Sequence, residues 1–247
     1  MQRFYGWTKK ACVTLFWIGI WQLCALSVHN KILLVGPADA LFAFGRLLFT
    51  VPFWQAVWFS SSRIATGFFL AFFAGLFTGF LSHALPPAED FLAPPLQLMK
   101  SVPVAAFVLL ALLWTGSRNL SVLISFFVVF PAIHAGTLTG LAQTDPKLLE
   151  MASVFRVPRH RILTGIYRYS ICPCLMGACR TAVGMAFKSG IAAEVIGVPA
   201  GSIGEAFYQA KLYLGTADLF AWTFALLLVS AAFEKAVLVI LKKAGGR

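Results

Sequence analysis

IATGFFLAFFAGLFTGFLS, residues 64–82, runs for 19 residues without a charge between Arg63 and His83. About 20 mostly apolar residues in a helix cross the roughly 30 Å hydrocarbon core of a bilayer. The composition says that this run is not isolated. Of 247 residues, 60% are hydrophobic and 12% charged, with 24 Phe and 7 Trp; an ordinary soluble domain is about half apolar and a quarter charged. Twenty basic and nine acidic residues cannot coat a soluble body of this size. Lipid is therefore the outer solvent. The net charge of +11 first suggests the Lys and Arg excess of cytoplasmic loops in membrane proteins, rather than nucleic acid as a partner.

Working outward from residues 64–82, the uncharged runs predict an all-α integral membrane protein with six transmembrane helices in one domain, 1–247. The spans are 11–30, 64–82, 101–117, 120–142, 172–196 and 219–241. Residues 11–30 also resemble a signal peptide, but the run is long for one and no A-x-A-like site lies between Leu26 and Lys31. Residues 40–59 are apolar but interrupted by Arg46 and Pro52, and charge decides their place. With six spans and both termini cytoplasmic, twelve Lys and Arg fall inside and five outside, namely Lys31, Arg46, Arg63, Arg118 and Lys211. If 40–59 also crossed, six would lie inside and ten outside. The positive-inside rule favours the first arrangement, with 40–59 an interfacial helix on the outer face and Trp54 and Trp58 at headgroup level.

Within the spans, Gly67, Ala71, Gly75 and Gly79 recur every four residues, a ridge that lets another helix approach closely. The fifth span carries Arg180, Lys188 and Glu194, and charges at membrane depth usually face a bundle interior or a watery path. Arg180, Gly184 and Lys188 share a face, and a cationic wall would suit an anion. Equally, Lys188 and Glu194 could neutralise each other while Arg180 snorkels toward the cytoplasm. His134 reads as a packed, hydrogen-bonded histidine. Cys12, Cys24, Cys172, Cys174 and Cys179 show no zinc or redox spacing and read as small apolar packing residues.

The loop at 145–168 is built unlike a passive linker. Asp145 and Pro146 make an N-cap followed by the residue whose missing N–H costs nothing at the first helical position. Leu148, Ala152 and Phe155 then fall at i, i+4 and i+7, with Leu149 alongside. Pro158 should end this helix, and a second short helix through Arg159–Leu163 can follow. Two short helices with an apolar stripe suit docking to another protein; the same basic segment could instead lie on anionic lipid headgroups.

Asp145-Pro146-x-Leu148-Leu149-Glu150-Met151-Ala152, followed by Ile166 and Pro173, resembles the cytoplasmic EAA loop of bacterial ABC importer permeases. From about Val35 onward the chain is similar to the nitrate, sulfonate and taurine type of that family. Supporting stretches are Ser101–Phe107 (SVPVAAF), Gly190–Gly197 (GIAAEVIG) and Gly201–Gly204 (GSIG). Where the family loop has Gly, this chain has Arg156. A left-handed residue there is costly for Arg, so the turn is expected to move to Val157-Pro158.

The resemblance implies the type I ABC importer permease fold and a bacterial cytoplasmic (inner) membrane location. It implies a permease homodimer, two copies of an ABC ATPase that carry the ATP and Mg, and an extracytoplasmic solute-binding protein. It implies no cofactor or metal on this chain. The ATPase-coupling residues would be Leu149, Glu150, Met151, Ala152, Phe155 and Arg156, with Arg180, Lys188 and Glu194 as the candidate translocation path. The implied function is import of a small solute, with nitrate, a sulfonate or taurine as examples. The sequence has no G-x-x-x-x-G-K-[ST] phosphate loop, no H-E-x-x-H and no G-x-S-x-G, so ATP hydrolysis is not expected here and no enzyme motif stands out. The rival reading is a membrane-integral scaffold or enzyme with a lipid-binding basic loop.

Overall fold

A computed structural model describes residues 2–28, 30 and 32–245. Lys31 and Arg247 of the charge partition, and both chain ends, lie outside the described residues. The described chain is all helical: α1 Gln2–Val28, α2 Pro37–Leu48, α3 Val51–Ala84, α4 Pro86–Ser101, α5 Val104–Ala142, α6 Pro146–Val154, α7 Arg159–Arg161, α8 Arg168–Gly197, α9 Ile203–Leu212 and α10 Thr216–Gly245. Among the described residues, four helical stretches are long and apolar enough to cross a membrane: Val51–Ala84, Val104–Ala142, Arg159–Gly197 and Thr216–Lys243. The apolar part of α1, Cys12–Val28, is shorter.

The core forms where α3, α5, α8 and α10 meet, around Ile64, Phe68, Ile133, Val183 and Phe187. The ridge on α3 works as its spacing suggests. A Cβ on Gly67 would collide with the Val122 carbonyl oxygen, and one on Gly75 would lie 2.9 Å from Ile133 Cβ, so the two helices touch backbone to backbone.

Three expectations change in the structure. Residues 40–59 are not one helix. α2 stops at Leu48, Thr50 is extended (φ −100°, ψ 138°), and Val51 starts the 34-residue α3. Pro52 is the reason: continued from α2, its ring would meet the carbonyl of Leu48 and it has no N–H to offer. The stretch carrying Trp54 and Trp58 is thus the first part of the second long helix, which at about 51 Å is longer than a bilayer core is thick.

Residues 104–142 fold back on themselves between the two expected spans, and the arm before the turn is the part that differs. Gly116 takes φ +66° and ψ 173°, and Phe107 stacks on Phe127 with ring centroids 4.0 Å apart. A straight helix would hold those rings about 30 Å apart. The arm before Gly116, 104–115, is about 18 Å long, shorter than the 101–117 expected for a third span and shorter than a bilayer core is thick. It is broken from α4 at Val102, which is extended ahead of Pro103.

The second short helix of the loop does not hang free either. Arg159–Arg161 runs through a π-helical segment, Ile162–Tyr167, directly into α8, making a 39-residue helix from Arg159 to Gly197.

Candidate functional site

α6 is locally determined. The Asp145 side chain accepts a hydrogen bond from the Lys147 amide at 2.9 Å, and Pro146 takes the first turn. At its other end, the Val157 amide donates to the Ala152 carbonyl (2.8 Å) and the Arg156 amide to the Ser153 carbonyl (3.0 Å). This is the Schellman closure, whose penultimate residue must be left-handed. That residue is Arg156, at φ +48°. The turn therefore stays where the family loop has Gly and does not shift to Val157-Pro158. Two hydrogen bonds that satisfy carbonyls of the last helical turn outweigh the cost of a side chain in that region.

The faces of α6 also divide differently from the expected stripe. Ala152 is buried and Leu149 half-buried, anchoring the helix, whereas Leu148, Met151, Val154 and Phe155 are exposed, Phe155 at 74%. Glu150 is exposed beside them. The helix thus presents an uncovered apolar face next to one acid.

At the opposite end of α8, Glu194 is fully buried. The Ser60 hydroxyl donates to its Oε2 at 2.5 Å, the Gly204 amide donates to the same oxygen at 3.4 Å, and the Ile203 amide donates to Ser60 Oγ at 2.9 Å. A Cβ on Gly204 would collide with Glu194 Cβ, so only glycine lets α9 sit this close. The stretches Gly190–Gly197 and Gly201–Gly204 therefore meet as one clamp joining α3, α8 and the start of α9. Ser60, one helix away, carried no signal in the sequence.

The three charges of the fifth span are not brought together. Arg180 pairs with Glu234 of α10 at 3.3 Å, both at least a third exposed. Lys188 is exposed on the same face as Arg180 and Gly184, and no ion pair joins it to Glu194. Glu194 faces the clamp instead. Arg63, which reads in sequence as the flank of a span, turns into the α3–α5 contact. Its Nη1 donates to the Arg118 carbonyl (2.6 Å) and Asn119 Oδ1 (2.8 Å), locking the hairpin just after Gly116 to α3. Among the described residues, no three of His, Cys, Asp and Glu converge as metal ligands would.

No family model matches the chain. It is 29% identical over 220 residues, 88% of this chain and 79% of the relative, to a Bacillus subtilis protein named as an aliphatic sulfonates transport permease. It is 26% identical over 204 residues, 82% of each, to a Brucella melitensis protein named as an ABC transporter permease. It is 22% identical over 202 residues, 79% of this chain and 73% of the relative, to the taurine transport system permease of Escherichia coli. With its long apolar helices and relatives of one kind over most of its length, the chain is a homologue of ABC transport permeases, matching their nitrate, sulfonate and taurine type.

Proposed function

We propose that this chain is the membrane-embedded subunit of an ATP-driven importer that receives a small solute from an external binding protein and works as a homodimer with two separate ATPase subunits. The observation that carries the reading is the foot of α8: an exposed apolar helix face, Leu148, Met151, Val154 and Phe155, beside Glu150 at the base of a 39-residue helix. ATPase closure would draw the two α6 helices together. The helix Arg159–Gly197 would carry that movement to the Glu194–Ser60 clamp and so to α9, within the segment 197–215 on which the binding protein docks. ATP and Mg belong to the ATPase in this scheme.

We place six spans in a bacterial inner membrane with both termini cytoplasmic, and the directions of the four long helices support that arrangement. Gly67 faces Val122 and Gly75 faces Ile133, so α3 and residues 117–142 run the same way. Trp222 lies against Phe53 and Phe233 meets Phe68 edge-on, so α10 runs with them, while α8 runs opposite. Lys242 and Lys243 follow Leu241, which lines a cleft with Leu163 and Arg168, and so lie at the same end as the basic loop. Arg46, Arg118 and Lys211 belong to the other end. That is the asymmetry a cytoplasmic loop requires. Arg180 and Lys188 remain the candidates for a path wall, on the uncovered face of α8.

Glu150→Lys tests the docking role. It should abolish stimulation of ATP hydrolysis by the solute-loaded binding protein in reconstituted vesicles while the chain still inserts. Unchanged stimulation would reject the assignment of α6.

A further inference from the structure

Arg63 holds more binding capacity than its structural contacts use. Its guanidinium lies over the Phe59 ring, 4.4 Å from the centroid, and Nη1 alone meets Arg118 and Asn119. Among the described residues no acceptor meets Nη2 or Nε, so one edge of the planar fork is held in place and unspent. That edge belongs to a cleft of about 580 Å³ between α3 and the 104–142 hairpin. Ser62, Thr66, Thr115 and Asn119 form its polar wall, and Leu123 and Phe126 an apolar one. Because Asn119 turns its oxygen to Arg63, its amide nitrogen remains a donor. No carboxylate lines the cleft. Glu194 is buried behind Ser60 and Gly204, whereas Arg118 adds a second positive charge nearby.

A guanidinium oriented by a ring and a carbonyl, with no acid among its hydrogen-bond partners, presents a site for an anion. The free Nη2–Nε edge matches two oxygens of a carboxylate or sulfonate side by side. The cleft volume suits a small ligand, and the apolar wall would take a short alkyl tail. We infer that the Arg63 cleft binds a small monovalent oxyanion, a carboxylate or sulfonate, through that edge. The inference deepens the importer reading, on which it rests for the transport role alone: the cleft is where an anionic solute would meet the permease.

The test measures binding by saturation-transfer NMR on the purified full chain in detergent, using the methyl protons of methanesulfonate and, separately, acetate. Dimethyl sulfone, of similar shape but neutral, is the control. Transfer is expected to at least one of the two anions and not to the sulfone. Arg63→Gln should lower it tenfold or more and Arg63→Lys less. Leu123→Trp should lower it by a similar factor, since it fills the cleft without touching the anchors of the guanidinium. If Arg63→Gln does not fold, Leu123→Trp decides. Equal transfer in the wild type and Leu123→Trp, equal transfer to the sulfone, or none to either anion would overturn the site. Co-purification of the ATPase, measured in parallel, separates the two readings: if it fails while Arg63-dependent binding persists, the anion site stands and the permease assignment falls.

Discussion

Arg156→Gly should strengthen the closure of α6, although it removes a large side chain from a surface expected to touch a partner. Arg156 occupies the left-handed position of the Schellman turn at φ +48°. For a residue with a Cβ this conformation costs roughly 1–2 kcal/mol. Glycine takes it freely but gives back about 0.4–1 kcal/mol through the greater freedom of the open chain. The Arg156 side chain is exposed, and no hydrogen bond or ion pair holds it among the described residues, so its loss subtracts little. The net gain is about 0–1.6 kcal/mol, centred near 0.8, which is about fourfold in a local opening equilibrium. The reporter is the Val157 amide, which donates to the Ala152 carbonyl only while the turn is closed. Hydrogen exchange read by mass spectrometry over 152–158 should show about fourfold greater protection in Arg156→Gly. Arg156→Val, a branched side chain in the same conformation, should show less than the wild type. Lower protection in Arg156→Gly, or an unchanged rate in Arg156→Val, would refute the account of the turn.

In a background freed of the five native cysteines, an impermeant thiol reagent applied to intact cells should label a cysteine placed at 46 but not one at 156; the reverse would invert the topology. A double-mutant cycle on stability in detergent should find Ser60→Ala and Glu194→Gln coupled by about 0.5–3 kcal/mol, because they share one hydrogen bond. Lys188→Met and Glu194→Gln should add within about 0.5 kcal/mol, since they share no partner; coupling there would return Lys188 to Glu194. Gly67→Ala should lower the thermal midpoint in detergent by forcing α3 from the Val122 carbonyl, with overpacking of this kind costing about 1–3 kcal/mol. A wild-type midpoint would mean that the ridge is not the contact surface.

The apolar runs and the start of α6 are legible along the chain, because each rests on near neighbours. Residues 64–82 lack charge within one helix length, and Asp145 caps an amide two residues on. The small-residue ridge was legible for the same reason: Gly67, Gly75 and Gly79 share a face whatever approaches it. Which way each apolar face points emerges only from packing. In water an apolar stripe marks the core, but here both lipid and core are apolar, so hydropathy cannot tell the exposed Phe73 from the buried Phe68. Nor can it show how closely the two arms on either side of Gly116 pack, since that contact is made by rings 20 residues apart. Partners of polar groups lay beyond reach as well. Glu194 finds Ser60 across 134 positions, Arg180 finds Glu234, and Arg63 finds the turn at Arg118 and Asn119. A helix fixes the spacing of its own side chains, whereas the oxygen or nitrogen that satisfies a charge at depth is supplied by whichever helix packs beside it, and only the packed bundle specifies that neighbour.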